Sequence, residues 1–322
     1  MQRLRRCDAM TEGHGNAIEV EALRRIYPNT KRQGERVALD GVSLSCARGT
    51  WVALLGPNGS GKSTLLRILS TLDRADGGSA RVMGFDVVRE ARRVRGVIGM
   101  VFQSAGLDRL LTVRENLLAQ AGLLGMRGAE SRGKVEGVIG RFGLEERAGE
   151  RVGTLSGGLA RRVDLARACL GGAPVLLLDE PSAGLDVAAR EGFLGALTQE
   201  RAERETTILH STHDMAEAER ADVVVMMCEG KIVASGAPGA LRDALGERVV
   251  ECEGTRAEVL EQAGLAVALR GGSAVGTGDP ERVERAAGML VRAGVSFRVQ
   301  PPTLEDVYRA QTGRTLGAGS GT

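Results

Sequence analysis

Aromatic residues make up only 2% of this 322-residue chain. Proteins that bind RNA or single strands stack bases on aromatic side chains, so the composition argues against that class. An excess of one charge is also missing. The formal net charge is +2 at pH 7, which lends no support to a basic nucleic-acid footprint, and no nucleic-acid partner is expected. Cys7, Cys46, Cys169, Cys228 and Cys252 are scattered, odd in number and never paired as C-x-x-C. That pattern indicates neither a disulfide framework nor a zinc site, and it favours a reducing compartment. No apolar run approaches the roughly 18 residues needed to cross a bilayer. The basic opening MQRLRRCDAMTEGHGNA lacks the apolar stretch of a signal peptide. A cytoplasmic protein is expected, with Met10 as an alternative start.

What the chain does contain is glycine in a telling place. In LLGPNGSGKSTLL, an apolar run opens onto Gly56, Pro57, Asn58, Gly59, Ser60, Gly61, Lys62, Ser63 and Thr64. A simple turn needs one or two glycines. Gly56-x-x-x-x-Gly61-Lys62-Ser63 fits a phosphate-binding loop, with a strand before it and a helix after it as that reading requires. The glycines let main-chain N–H groups face an anion, and the helix N-terminus adds partial positive charge. Lys62 is placed to reach the β- and γ-phosphates and Ser63 to bind Mg²⁺. Further along, VLLLDEP ends a buried strand in Asp179 and Glu180. Asp179 is the candidate Mg²⁺ partner, and Glu180 the candidate base for an attacking water.

The pattern along the chain is strand-like from Ala17 to about Leu55, and SerThrLeuLeu from Ser63 opens a helix. From about 107 to 170 the apolar spacing turns helical. Strand patterns return in APVLLLDEP, ETTILHSTH and ADVVVMMCEGKIVASG. This alternation predicts an α/β core with a helical insert. A second unit begins near Ala240 in the order βαββαβ, the ferredoxin-like split motif, with Asp279 capping a helix that starts at Pro280. The expected organisation is an N-terminal extension over 1–16, a phosphate-loop domain over 17–239, an α+β accessory domain over 240–312 and a disordered tail over 313–322.

The stretch TLSGGLARRVDLARA places Ser156, Gly157 and Gly158 where a helix begins, a second anion site without a lysine. The motifs GPNGSGKST, VFQS, LSGGL, VLLLDEP, SAGLD and STHD follow one another in the order of the ABC transport ATPases, and the chain resembles that family from about Ala17 to Gly236. The resemblance implies a P-loop ATPase with a mixed β-sheet subdomain and helical insert. It also implies a head-to-tail homodimer, in which Ser156, Gly157 and Gly158 of one subunit close over ATP on the P-loop of the other. By the same resemblance Gln103 contacts Mg²⁺ or the attacking water, Asp186 crosses the dimer interface, and His213 contacts the γ-phosphate. His210 is read as structural. Tyr27 is the aromatic nearest the position where the family stacks adenine. The family's usual glutamine after LSGG is Leu159 here, so any bonds of that glutamine are lost while the serine and glycine donors remain.

LTVRENL, SAGLD and the closing PPTLEDVYRAQTGR are similar to ATP-binding subunits of bacterial drug and antibiotic exporters. That likeness implies a separate integral-membrane permease as partner and a peripheral location on the inner face of the membrane. A soluble ABC ATPase acting on ribosomes or DNA is the alternative. Translation-type relatives carry two cassettes per chain, and repair-type relatives carry long coiled coils; this sequence has one P-loop, one signature and no sustained heptads. A P-loop kinase or GTPase is opposed by LSGGL upstream of LLLDEP.

Overall fold

The apolar pentads read as buried strands are strands in the computed structural model, which describes residues 15–28, 34–104, 106–270 and 272–314. Met10, Cys7, most of the expected N-terminal extension and nearly all of the expected tail lie outside those residues.

The chain begins with the long strands β1 (Asn16–Pro28) and β2 (Glu35–Ala47), followed by β3 (Trp51–Leu55), α1 (Lys62–Leu69), β4 (Gly77–Val82), β5 (Phe85–Asp86), α2 (Ala91–Val97) and β6 (Ile98–Val101). Three helices come next: α3 (Val113–Leu123), α4 (Gly128–Arg141) and α5 (Gly157–Cys169). Then come β7 (Val175–Asp179), α6 (Val187–Arg204), β8 (Thr207–Thr212), α7 (Met215–Ala218), β9 (Val223–Cys228), β10 (Lys231–Gly236) and α8 (Pro238–Asp243). The order closes with β11 (Val249–Glu253), α9 (Ala257–Gln262), β12 (Ala266–Arg270), β13 (Ser273–Thr277), α10 (Pro280–Arg292), β14 (Phe297–Gln300) and α11 (Leu304–Thr312).

The central sheet has six strands in the order β10-β9-β3-β8-β7-β6. Its β9, β3, β8, β7 and β6 run parallel, and β10 turns back antiparallel on β9. Side chains alternate across a strand, and both faces of this sheet are covered. Trp51, Ala53, Leu55, Leu176 and Leu178 face one hydrophobic cluster, which includes residues of α3, α4, α5 and α6. Val52, Leu54, Val175 and Leu177 face another, shared with α1 and the antiparallel sheet β2-β1-β4-β5. Burial on both sides is why these strands read as continuous apolar runs.

The sequence reading assigns no helix to α6. Its interior glycines, Gly192 and Gly195, and its short buried stripe of Phe193, Leu194 and Leu197 weaken the helical signal. Tertiary packing supplies what propensity lacks, with Asp186 capping its first turn through Ala189 N–H at 2.8 Å.

Strands β11 to β14 form an antiparallel sheet in the order β12-β13-β11-β14. With α9 and α10 they bury Val250, Cys252, Leu260, Ala274, Val283 and Leu290 in a core of their own. Asp279 caps α10 through Arg282 N–H at 2.9 Å, and Pro280 sits at the first turn. The last helix behaves differently. Read from sequence as the closing element of the C-terminal unit, α11 leaves that sheet and packs on α8 and β10. Its Leu304, Val307 and Tyr308 join the same cluster as Trp51 and Leu178.

Candidate functional site

Parallel sheets bind ligands beyond the carboxyl ends of their strands, where the connections gather. Here β3 delivers the glycine loop, β7 delivers Asp179 and Glu180, and β8 delivers Ser211, Thr212 and His213 to the same end. The strands are neighbours, with Leu55 opposite Thr212 and Asp179 opposite Ser211. Distant motifs therefore meet through sheet register.

The loop needs its glycines for space and conformation. A Cβ at Gly56 would lie 2.4 Å from the Met227 carbonyl oxygen. Gly61 caps α1 at φ 109°, in the left-handed region, with no side-chain cap. The first amides of α1 are thus left for another acceptor. Lys62 is 4% exposed, and its ammonium donates to the carbonyls of Gly56 at 2.7 Å and Pro57 at 3.2 Å. It also stands 3.6 Å from Glu180 Oε1. Burial pushes the Lys62 pKa down, and the attraction of Glu180 opposes that shift. Ser60 is buried with a hydroxyl that has no hydrogen-bond partner. Asn58 and Gly59 are exposed at the loop tip.

Ser63 Oγ donates to Asp179 Oδ1 at 2.9 Å, next to Lys62. Among the described residues no group of three or more His, Cys, Asp or Glu could hold a metal. Mg²⁺ does not require one, because it takes one or two protein oxygens and fills its shell with phosphate oxygens and water. The adjacent hydroxyl and carboxylate of Ser63 and Asp179 are hard oxygen donors that fit it.

Glu180 has φ 43°, an uncommon value for a residue with a side chain. Its N–H donates to Ser211 Oγ at 2.9 Å, and the same hydroxyl donates to Asp179 Oδ1 at 2.7 Å. Ser211 therefore ties the Asp179 carboxylate to the main chain at Glu180. The sequence reading passed over it, although its place two residues before His213 in STHD was a usable signal. His213 is 56% exposed, with Nδ1 3.6 Å from Glu180 Oε2. The turn that carries it is fixed by Asp214, which caps α7 and pairs with Arg190. Glu217 adds a second anchor, accepting from Thr212 Oγ1 at 2.8 Å and from Ser182. His210 is structural, as the sequence reading expects: it is fully buried, and its Nδ1 accepts from Trp51 Nε1 at 2.8 Å.

The other sequence-derived candidates stand apart from this cluster. Gln103 is exposed, and its carbonyl, not its side chain, is the group held, by Arg161. Ser156 caps α5 by accepting from Leu159 N–H at 3.3 Å, and it is exposed beside Gly157. Gly158 faces α6 closely, since a Cβ there would lie 2.5 Å from Ala189 Cβ. Asp186 is exposed at the start of α6. Tyr27 donates its hydroxyl to Asp73 at 2.5 Å, and the Arg25 guanidinium lies 4.5 Å from its ring centroid. One face of that ring is already occupied.

A family model described as "ABC transporter" matches residues 39–183, from β2 through the loop and signature to just past Glu180. Daunorubicin resistance ATP-binding protein DrrA2 of Streptomyces coeruleorubidus is 37% identical over 88% of this chain and 84% of its own. The chain belongs to the ABC transporter family. Nod factor export ATP-binding protein I of Paraburkholderia xenovorans is also 37% identical, over 93% of this ABC protein and 98% of its own length. Such coverage takes in the C-terminal unit as well as the ATPase core. Among solved structures, the dimeric ATP-binding cassette MJ0796 bound to ADP and Pi superposes with a TM-score of 0.62 at 28% identity. It covers 68% of this chain and 98% of that one. This ABC protein is an ATPase of the same fold.

Proposed function

We propose that the chain is the ATP-hydrolysing subunit of an exporter. It works as a homodimer on the inner face of the cell membrane and drives a separate integral-membrane permease. One observation carries the two-subunit reading. The loop, Ser63, Asp179, Glu180 and His213 assemble within one chain, whereas Ser156, Gly157 and Asp186 are left exposed at the starts of α5 and α6. Exposed helix starts with free amides suit an anion presented by another molecule. The dimeric cassette that resembles this chain supports the same arrangement. Relatives named for drug resistance and Nod factor export support the direction of transport. Among the described residues no helix is long and apolar enough to cross a membrane, so the membrane path is assigned to the permease.

The residues divide the work as follows. The loop amides from Gly56 to Thr64 wrap the phosphates, and Lys62 exchanges the Gly56 and Pro57 carbonyls for β- and γ-phosphate oxygens. Ser63 and Asp179 would hold Mg²⁺, with Gln103 as a further contact to the ion or the attacking water. When bound, the ion would offset the negative charge of the phosphates. Glu180, held by Ser211, takes the proton of the attacking water. His213, next to Glu180, reaches the γ-phosphate. Ser156, Gly157 and Gly158 of the second chain complete the site, and Asp186 lies along the interface. Tyr27 stacks on adenine through its open face.

The test is Glu180→Gln with ATP on gel filtration. The variant should bind ATP, hydrolyse it slowly and elute as a dimer, because the closed state outlives the base it lacks. Elution as a monomer at saturating ATP sinks the shared-site reading. Co-purification with an integral-membrane permease, and stimulation of ATPase by candidate cargoes, tests the export half.

A further inference from the structure

We infer that Arg161 is a positioning residue that ties the signature helix of each subunit to that subunit's own Gln103 loop and Glu180, and so couples the two nucleotide sites. The inference rests on the ATPase reading above and adds a path between the sites.

Arg161 lies on α5, five residues beyond Ser156. Its guanidinium is 6% exposed and spends its donors on main-chain carbonyls of two other segments. Nη1 donates to Phe102 O at 2.7 Å and Nη2 to Gln103 O at 2.5 Å. Nε donates to Pro181 O at 2.5 Å, the residue after Glu180. A planar fork of fixed donors can hold three carbonyls spread around its edge, whereas the three donors of a lysine diverge from a single nitrogen. The buried charge is met by Asp164, fully buried one turn later, at 3.5 Å. Asp164 also pairs with Arg167 at 2.8 Å. Arg167 in turn donates to Met100 O and to Gln120 Oε1, both at 3.3 Å.

The geometry has a direct mechanical meaning. The segment after β6 is held from α5 at Phe102 and Gln103 by Arg161. The segment after β7 is held from the same guanidinium at Pro181. The helix that presents Ser156 and Gly157 outward is thereby fastened to the residues that act on the nucleotide of its own chain. A shift of α5 when its exposed end meets the neighbour's triphosphate is passed to Gln103 and Glu180. Packed hydrogen-bonded networks of this kind transmit small displacements because they do not stretch. Such coupling is reciprocal, so each site favours closure of the other.

The experiment compares wild type with Arg161→Lys, Arg161→Met and the pair Arg161→Met with Asp164→Leu. Lysine keeps the charge opposite Asp164 but gives up the fork. The double substitution removes the carboxylate that Arg161→Met alone would leave buried with Arg167 as its remaining cation, a change that protein interiors tolerate. The readouts are kcat, KM for ATP, the Hill coefficient, nucleotide affinity and thermal midpoint. Arg161→Lys and the double variant are expected to bind ATP like wild type, to lose about tenfold or more in kcat as their reacting groups drift, and to show a Hill coefficient close to one. Wild-type kcat and cooperativity in folded variants would overturn the coupling alone. A fall in kcat matched by equal losses of affinity and thermal midpoint would reduce Arg161 to a structural part and also overturn it. Absence of ATPase activity in the wild type would overturn the reading beneath both.

Discussion

Tyr308 offers a sharp test of how the end of the chain is used. Its ring is fully buried, in one cluster with Leu304, Val307, Trp51, Leu178 and Leu241. Its hydroxyl has no hydrogen-bond partner of normal geometry, with the Cys228 thiol as its polar neighbour. Replacing a buried aromatic ring by alanine costs about 3–5 kcal/mol, the sum of lost transfer energy and the cavity left behind. In a domain the size of this ATPase core, that lowers the midpoint by roughly 6–20 °C, at about 2–4 °C per kcal/mol. Tyr308→Phe removes only a weakly engaged hydroxyl and should stay within about 1 kcal/mol of wild type. The single tryptophan reports the outcome, because Trp51 sits in the same cluster and its fluorescence follows that core rather than the C-terminal sheet. A Tyr308→Ala protein whose Trp51 signal unfolds at the wild-type midpoint would falsify the claim that α11 is part of the ATPase core. By the same reasoning, a chain ended at Gly246 loses α11 together with the sheet. It should be less stable for want of the helix, not of the sheet.

Two further outcomes follow from the site. Lys62→Ala removes the buried cation from the glycine loop and is expected to abolish productive ATP binding, read as loss of fluorescent-nucleotide binding; undiminished ATPase would contradict the role given to it. His210 predicts a pH dependence. Burial pushes its pKa from 6.5 down to about 4, so the unfolded chain takes up the proton first. Stability is complete above about pH 6.5 and declines as pH falls towards 4, by up to about 3 kcal/mol. His210→Gln keeps an acceptor for Trp51 but cannot protonate, so its midpoint should fall less than that of wild type between pH 7 and pH 5. Equal falls would remove His210 from the explanation.

Much of the site was legible because its chemistry is local. A glycine loop, a lysine and a hydroxyl must be adjacent in sequence to wrap a phosphate chain, and a strand ending in Asp179 and Glu180 announces itself by its apolar run. The βαββαβ unit was legible because caps and turns such as Asp279-Pro280 mark each short element. Arg161 and the placement of α11 were not, and Ser211 was signalled only by its place in STHD. A serine in a strand, an arginine on a helix and an amphipathic helix of nine residues look the same in sequence whichever partner they meet.

The sequence by itself determined the family, the glycine loop, the paired carboxylates at a strand end and the βαββαβ order of the C-terminal sheet, because each of these is written in residues within a turn or strand of one another. Only the tertiary structure decided that Ser211 ties the Glu180 main chain to the Asp179 carboxylate, that Arg161 joins three segments, and that the last helix returns to the first core. Those depend on sheet register and on which surfaces exclude water together, and neither is encoded in any one stretch of chain.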